Sequence, residues 1–326
     1  MTKQTFIIIN MKNVVITDYL FKDLSIEEKI FQESNIKLSS EKSPNKEELK
    51  DLTQNADYII TQFAKLDNEI LNNLNKAKII VRYGVGYDNV DIKSARLKNI
   101  PVCNVPHYCI DEVADHTIGF ILNSTRALYK NHQKVIQGEW GLAVPMEEMK
   151  PLNDLKIGVI GFGRIGQAVV ERLIPFKPKI LIYDPFISNP VKKDGLSFIE
   201  INELFKNSDI ITLHCPSNEN TKNIINDHSL SLMKKGVIII NIGRGDLIDM
   251  RSFINALKNK KIYSAALDVF DTEPLTENHP IRSFDNVLFS SHVASASLKA
   301  VKNLRKSAAE LVIKCHNSEK IINIVN

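Results

Sequence analysis

Short apolar runs along this chain alternate with longer stretches in which apolar positions recur every three or four residues. An unbroken apolar run suits a strand buried on both faces, and the wider spacing is the stripe of an amphipathic helix. Repeated in turn, the two patterns predict β-α-β units around parallel sheets, an α/β fold. In the first hundred residues, 13–17, 57–60 and 78–81 read as strands, with 5–9 a rival for the first of them. Ser25 is the expected N-cap of a helix, with Glu28 closing a capping box. A glycine-bearing loop, Arg82-Tyr83-Gly84-Val85-Gly86-Tyr87-Asp88-Asn89, precedes a helix starting near Asp91. Pro101 and Pro106 stiffen a crossing segment, and 111–138 then reads as one long helix with few breakers.

After a loop at 139–154, which carries the only tryptophan, Trp140, the alternation resumes. Strands are predicted over 157–160, 179–183, 210–213, 237–241 and 264–268, with a shorter one near 287–289. Asp249 suits the N-cap of a helix over 250–258, and a last helix covers 297–316. The most informative stretch opens this half: Leu155-Lys156-Ile157-Gly158-Val159-Ile160-Gly161-Phe162-Gly163-Arg164-Ile165-Gly166. Gly161 allows a tight turn, Gly163 lets backbone approach a pyrophosphate, and Gly166 lets the new helix pack close to its strand. That helix directs its unpaired N–H groups and positive dipole end at the phosphates. Asp184 closes the following strand, where a carboxylate can accept hydrogen bonds from ribose hydroxyls. Strand, glycine turn, helix and acid together make a strong dinucleotide signal.

A chain of 326 residues exceeds the size at which single cores stop growing, roughly 250–300 residues, so two domains are expected. Because the glycine turn lies mid-chain, a complete α/β unit precedes the dinucleotide domain. The formal charge of +4 is small and the lysines are scattered, which argues against a nucleic-acid footprint. Cys103, Cys109, Cys215 and Cys315 lack C-x-x-C spacing and no secretory signal opens the chain, so reduced thiols in a cytoplasmic protein are expected. No metal site is expected, and no apolar run is long enough to span a membrane. The chain ends soon after its last predicted helix, so no separate C-terminal regulatory domain is expected.

Further chemistry-bearing residues sit at the ends of predicted strands, where open α/β sheets place their ligands. In Asn241-Ile242-Gly243-Arg244-Gly245-Asp246, a guanidinium between two glycines suits bidentate grip of a carboxylate, although such an arginine also fits a surface turn. Asp268 closes an apolar run as a ligand contact or as a turn cap. Glu273-Pro274 and Ser291-His292-Val293-Ala294 follow. Paired, a carboxylate behind an imidazole fixes its tautomer and favours its charged form.

In order and spacing these segments resemble the D-isomer-specific 2-hydroxyacid dehydrogenases, over nearly the whole chain from about Asn13 onward. The resemblance implies two Rossmann-like or flavodoxin-like domains, with an NAD domain (105–293) inserted in a split substrate domain (1–104 and 294–326). It further implies that Arg244 binds the substrate carboxylate, His292 is the general acid/base, and Glu273 holds the far imidazole nitrogen. Tyr83, Gly84, Val85 and Gly86 would offer backbone N–H groups to the carboxylate. Arg164 and Ile165 would lie beside the pyrophosphate, and His214, Cys215, Pro216 and Thr221 along the adenosine and nicotinamide path. Asn241, Ile242, Gly243 and Ala294 complete the expected cofactor contacts, and Asp268 would orient the nicotinamide carboxamide. Asp184 favours NAD over NADP, since a carboxylate repels the 2′-phosphate and Lys192 and Lys193 lie several residues off. The expected partner is a small 2-keto or 2-hydroxy acid. Family members are commonly dimers, and the long helix with Trp140 is the natural interface.

Two departures from the family pattern stand out. Asp115-His116 occupies a place that often reads valine-alanine-glutamate, as in the branch of the C-terminal-binding corepressors. This raises the alternative of an NAD-sensing scaffold, against which the intact Arg244, Glu273 and His292 argue. His107 and His116 are read as polar residues at a helix start or domain seam. Ser291 stands where many members have proline. In Thr61-Gln62-Phe63-Ala64-Lys65, Phe63 suits an apolar substrate tail, while Lys65 can still meet an anion. The formate dehydrogenase branch, which pairs its histidine with glutamine, fits less well.

Overall fold

The computed structural model describes residues 11–187 and 195–326, so the strand reading of 5–9 and Lys192 and Lys193 lie outside the described residues. The chain divides into two compact units, Met1–Tyr108 with Ser297–Asn326, and Cys109–Ala296.

The first unit runs β1 (Lys12–Ile16), α1 (Ser25–Glu33), β2 (Ile36–Ser40), α2 (Lys46–Gln54), β3 (Tyr58–Thr61), α3 (Asn68–Asn73), β4 (Ile79–Arg82), α4 (Ile92–Leu97) and β5 (Val102–Cys103). Its five strands are all parallel, in the order β2-β1-β3-β4-β5. Strand side chains alternate between two cores, as the two-residue period requires. Val14, Ile16, Ile60 and Val81 face the C-terminal helix Leu298–His316, while Val15, Ile59, Ile80 and Val102 face α2 to α4. Ser25 does not cap α1. The N-cap is Leu24, and Ser25, inside the helix, gives both its N–H and its hydroxyl to Asp23 Oδ1, at 3.0 and 2.6 Å.

The second unit begins with α5 (Ile110–Arg126) and α6 (Leu128–Ile136). The single helix expected over 111–138 is therefore two. Ala127 turns left-handed (φ 48°), and the Asn123 side chain accepts the Tyr129 N–H at 2.8 Å, supplying a partner just past the break. Then follow β6 (Lys156–Ile160), α7 (Arg164–Leu173), β7 (Lys179–Tyr183), β8 (Leu196–Phe198), α8 (Ile201–Asn207), β9 (Ile210–Leu213), α9 (Asp227–Leu232), β10 (Val237–Asn241), α10 (Met250–Lys258), β11 (Ile262–Leu267) and β12 (Val287–Phe289). The C-terminal helix, α11, returns the chain to the first unit.

The seven strands of the second unit are parallel, in the order β12-β11-β10-β9-β6-β7-β8. Strand order reverses between β6 and β9, the switch point at which doubly wound sheets bind dinucleotides. No helix among the described residues is long and apolar enough to cross a membrane.

Candidate active site

At the switch point of the second unit, the three glycines after β6 serve three different purposes. Gly161 adopts φ 93°, and a Cβ there would lie 2.6 Å from Cys215 N and 2.7 Å from the His214 carbonyl carbon. Only glycine lets the turn pass so close to the segment after β9. A Cβ at Gly166 would stand 2.2 Å from the Gly161 carbonyl oxygen, so its absence seats α7 against the turn. At Gly163, the N-cap of α7, a Cβ would meet nothing within 4 Å. That open backbone ahead of a helix N-terminus fits a pyrophosphate. Arg164 is exposed and Ile165 half-buried beside it. Asp184 braces the same turn: Phe162 N–H donates to its Oδ2 at 2.7 Å and Phe186 N–H to its Oδ1 at 3.0 Å.

The segment after β9 backs this turn. His214 Nε2 lies 2.9 Å from Thr212 Oγ1, and burial pushes its imidazole down to about 3, so the ring is neutral. Burial pushes the Cys215 thiol up to about 12, which leaves it inert as a nucleophile at neutral pH. Pro216 is exposed, and the Thr221 hydroxyl holds its own loop by donating to the Pro216 carbonyl at 2.6 Å.

Beyond β10, β11 and β12 the structure brings together Arg244, Glu273 and His292. His292 Nδ1 lies 2.7 Å from Glu273 Oε2, both side chains 35% exposed. A carboxylate only accepts, so Nδ1 carries the hydrogen and Nε2 is left to exchange a proton. Burial pushes the Glu273 carboxyl up. The His292 hydrogen bond, the Phe270 N–H at 2.9 Å and the charges of His292 and Arg244 outweigh it and hold the carboxyl below its usual range. The Arg244 turn is fastened to that segment at Gly245, where a Cβ would fall 1.8 Å from the Phe270 carbonyl carbon. Arg244 Nη1 donates to the Gly243 carbonyl at 2.8 Å, fixing the root of the guanidinium.

Asn241 is fully buried and builds this turn. Its amide donates to the Arg244 carbonyl at 2.8 Å and accepts the Gly243 N–H at 3.0 Å, while Ile242 beside it is buried. Asp268 caps the loop after β12. It is 1% exposed, and its carboxylate accepts N–H groups from Val293 and Ala294 at 2.9 and 3.0 Å.

In the first unit, the loop after β4 holds the other expected ligand residues. The Tyr83 side chain is buried: its hydroxyl donates to the buried Glu27 carboxylate at 2.8 Å, and Arg305 grips Glu27 from the other side at 2.6 Å. Burial, then the Glu27 charge, pushes the Tyr83 hydroxyl up and keeps its proton. The Tyr83 and Gly84 N–H groups are occupied by Thr61 and Arg82 carbonyls at 2.8 Å each, which removes them as anion donors. Val85 and Gly86 N–H have no acceptor among the described residues. Asn104 pins this loop through the Val85 carbonyl at 2.6 Å.

Sequence reasoning missed Asn104, Glu27, Arg305 and Ser290. Their only signal is a polar side chain at an apolar position, and their partners lie far off in the chain. Among the described residues no cluster of His, Cys, Asp or Glu could hold a metal, and none of the four cysteines forms a disulfide.

A family model described as D-isomer specific 2-hydroxyacid dehydrogenase, NAD binding domain, matches residues 118–294. A D-3-phosphoglycerate dehydrogenase of Methanocaldococcus jannaschii is 36% identical over 97% of this chain, which spans 60% of that relative's length. A glyoxylate reductase of Thermofilum pendens is 35% identical over 87% of this chain and 85% of its own. A D-lactate dehydrogenase from Aquifex aeolicus, solved with NAD and lactic acid, superposes with a TM-score of 0.84 at 28% identity, covering 94% of this chain and 96% of its own. The parallel α/β units and the glycine turn define a dinucleotide-binding fold. The chain belongs to the D-isomer specific 2-hydroxyacid dehydrogenase family. Its second unit carries that family's NAD-binding domain.

Proposed function

We propose that this protein is an NAD-dependent oxidoreductase that interconverts a 2-keto acid and its D-2-hydroxy acid. The observation that carries the reading is the His292–Glu273 pair at 2.7 Å beside the Arg244 guanidinium. The glycine turn, with Gly163 open and Asp184 beside it, would hold the dinucleotide. Bound NADH supplies the hydride. Arg244 would hold the substrate carboxylate and draw charge from the 2-keto oxygen. His292 Nε2 would give that oxygen a proton in reduction and take it back in oxidation, with Glu273 fixing the ring. The buried Asp268 acts behind the loop that carries His292. The Asp184 carboxylate disfavours a 2′-phosphate, which supports NAD over NADP.

In the first unit, Val85 and Gly86 N–H are the donors left for an anion. Phe63, 50% exposed beyond β3, favours an apolar, unphosphorylated substrate tail. We further propose a homodimer formed through residues 128–146 of the second unit. Four cysteines outside any disulfide support a cytoplasmic location.

The test follows NADH oxidation with glyoxylate, hydroxypyruvate, pyruvate, branched and aromatic keto acids, and phosphohydroxypyruvate. Turnover of at least one is expected, and His292→Ala should lower kcat about 100-fold or more with NADH affinity unchanged. Clear NADH binding with no turnover of any keto acid would overturn the enzyme reading in favour of an NAD-sensing scaffold.

A further inference from the structure

His116, Ser290 and Asp268, from three separate elements of the second unit, form one run of hydrogen bonds. His116 Nε2 on α5 lies 3.1 Å from Ser290 Oγ, and the Ser290 hydroxyl bonds Asp268 Oδ1. Around Asp268, Val293 N–H reaches Oδ1 at 2.9 Å, Ala294 N–H reaches Oδ2 at 3.0 Å, and His292 N–H reaches its main-chain oxygen at 2.7 Å. The polarity of the run follows from donor counting. An Asp268 carboxylate can only accept, so Ser290 gives it its one hydroxyl hydrogen. His116 Nε2 must then be the donor to Ser290. The His116 ring is further set edge-on against Phe120, with centroids 4.4 Å apart.

What this run holds is unusual. His292 has φ 55°, a left-handed conformation that non-glycine residues keep only where their surroundings impose it. Asp268 fixes the backbone at His292 itself and at the two residues after it. Ser290 fixes the backbone before it. The chain enters the second unit at Cys109, just ahead of α5, and leaves at Ala296, just after this loop. His116 therefore fastens the catalytic loop to the helix by which the unit begins.

We propose that His116 and Ser290 are positioning residues that act through Asp268 to hold the His292 loop in its left-handed conformation. This rests on the reading of His292 as the acid/base group. The imidazole meets Glu273 only while the main chain at 292 is held, and a small displacement of a reacting group is enough to slow a proton transfer.

The experiment compares His116→Leu and Ser290→Ala with the conservative His116→Gln and Ser290→Thr in the full chain. The leucine and alanine variants should lose about 10- to 100-fold in kcat while KM for the keto acid and Kd for NADH stay within about twofold. Glutamine, which keeps a donor, and threonine, which keeps the hydroxyl, should restore most of it. The His116→Leu/Ser290→Ala double variant should be no worse than the worse single one, since both cut the same run. Independently of turnover, the downfield proton resonance between His292 Nδ1 and Glu273 should persist in the conservative variants and vanish in the others. Unchanged kcat in His116→Leu, equal losses for glutamine and leucine, or multiplicative losses in the double variant would overturn the proposal. If the wild type turns over no keto acid, the functional reading fails, and the resonance alone decides whether the run positions His292.

Discussion

Gly243 and Gly245 flank Arg244 symmetrically in the sequence, yet their surroundings differ. A Cβ at Gly245 would lie 1.8 Å from Phe270 C, 2.0 Å from its oxygen and 2.3 Å from Asp271 N, all main-chain atoms that cannot step aside. A Cβ at Gly243 would first meet Leu247 Cδ1 at 3.1 Å, the end of a side chain, with the nearest main-chain atoms at an ordinary 3.5 Å. Gly245→Ala should therefore cost about 1–3 kcal/mol of stability as overpacking. It should also abolish turnover by parting Arg244 from Glu273. Gly243→Ala should lose much less, and urea unfolding with keto-acid turnover of both variants checks the contrast. Equal behaviour would sink the argument. That an arginine between glycines matters is legible in the sequence. Which glycine is indispensable depends on the main chain at 270, which no local pattern encodes. Tyr83 teaches the same lesson, because its hydroxyl partner, Glu27, is remote in sequence.

Elements with both faces buried, such as β3, β9 and β10, are legible because an unbroken apolar run leaves no competing reading. The strands that escaped sequence reading are short or half-buried: β2 reads IKLSS, β5 has two residues and β8 reads LSF. The break at Ala127 is illegible for a different reason: alanine is the best helix former, so only the Asn123 side chain betrays it.

The segment after β9 carries a pH signature. Burial holds the His214 imidazole neutral, pushed down to about 3, whereas the unfolded chain takes up a proton below about 6.5. The unfolded state then binds more protons, so stability is full above about 6.5 and falls as pH drops from there toward about 3. His214→Asn should flatten that fall. Urea midpoints measured without nucleotide between pH 7.5 and 5 check it, and parallel slopes for the two proteins would refute it.

Each unit has a switch point in its sheet, but only one is left open. In the first unit it lies between β1 and β3, and the buried Asp18 fills it. The Asp18 carboxylate takes the Gln62 and Phe63 N–H groups at 3.0 and 2.6 Å, which would otherwise face an anion. In the second unit the equivalent ground lies open at Gly163.

The second unit also leaves an apolar face uncovered. No residue of α6 is buried, and Ile136, Trp140 and Met146 are 65%, 89% and 71% exposed. Large apolar side chains gathered on one exposed stretch mark an interaction surface, which is why a second copy is the proposed cover. Placing charge there removes the gain from burial without touching the site residues. Sedimentation of the wild type should give the mass of two chains, and Ile136→Glu/Trp140→Glu that of one. The variant should still bind NADH, because the glycine turn lies after β6 and not on α6. A wild type that sediments as a single chain, or a double variant that stays paired, would refute the proposed dimer.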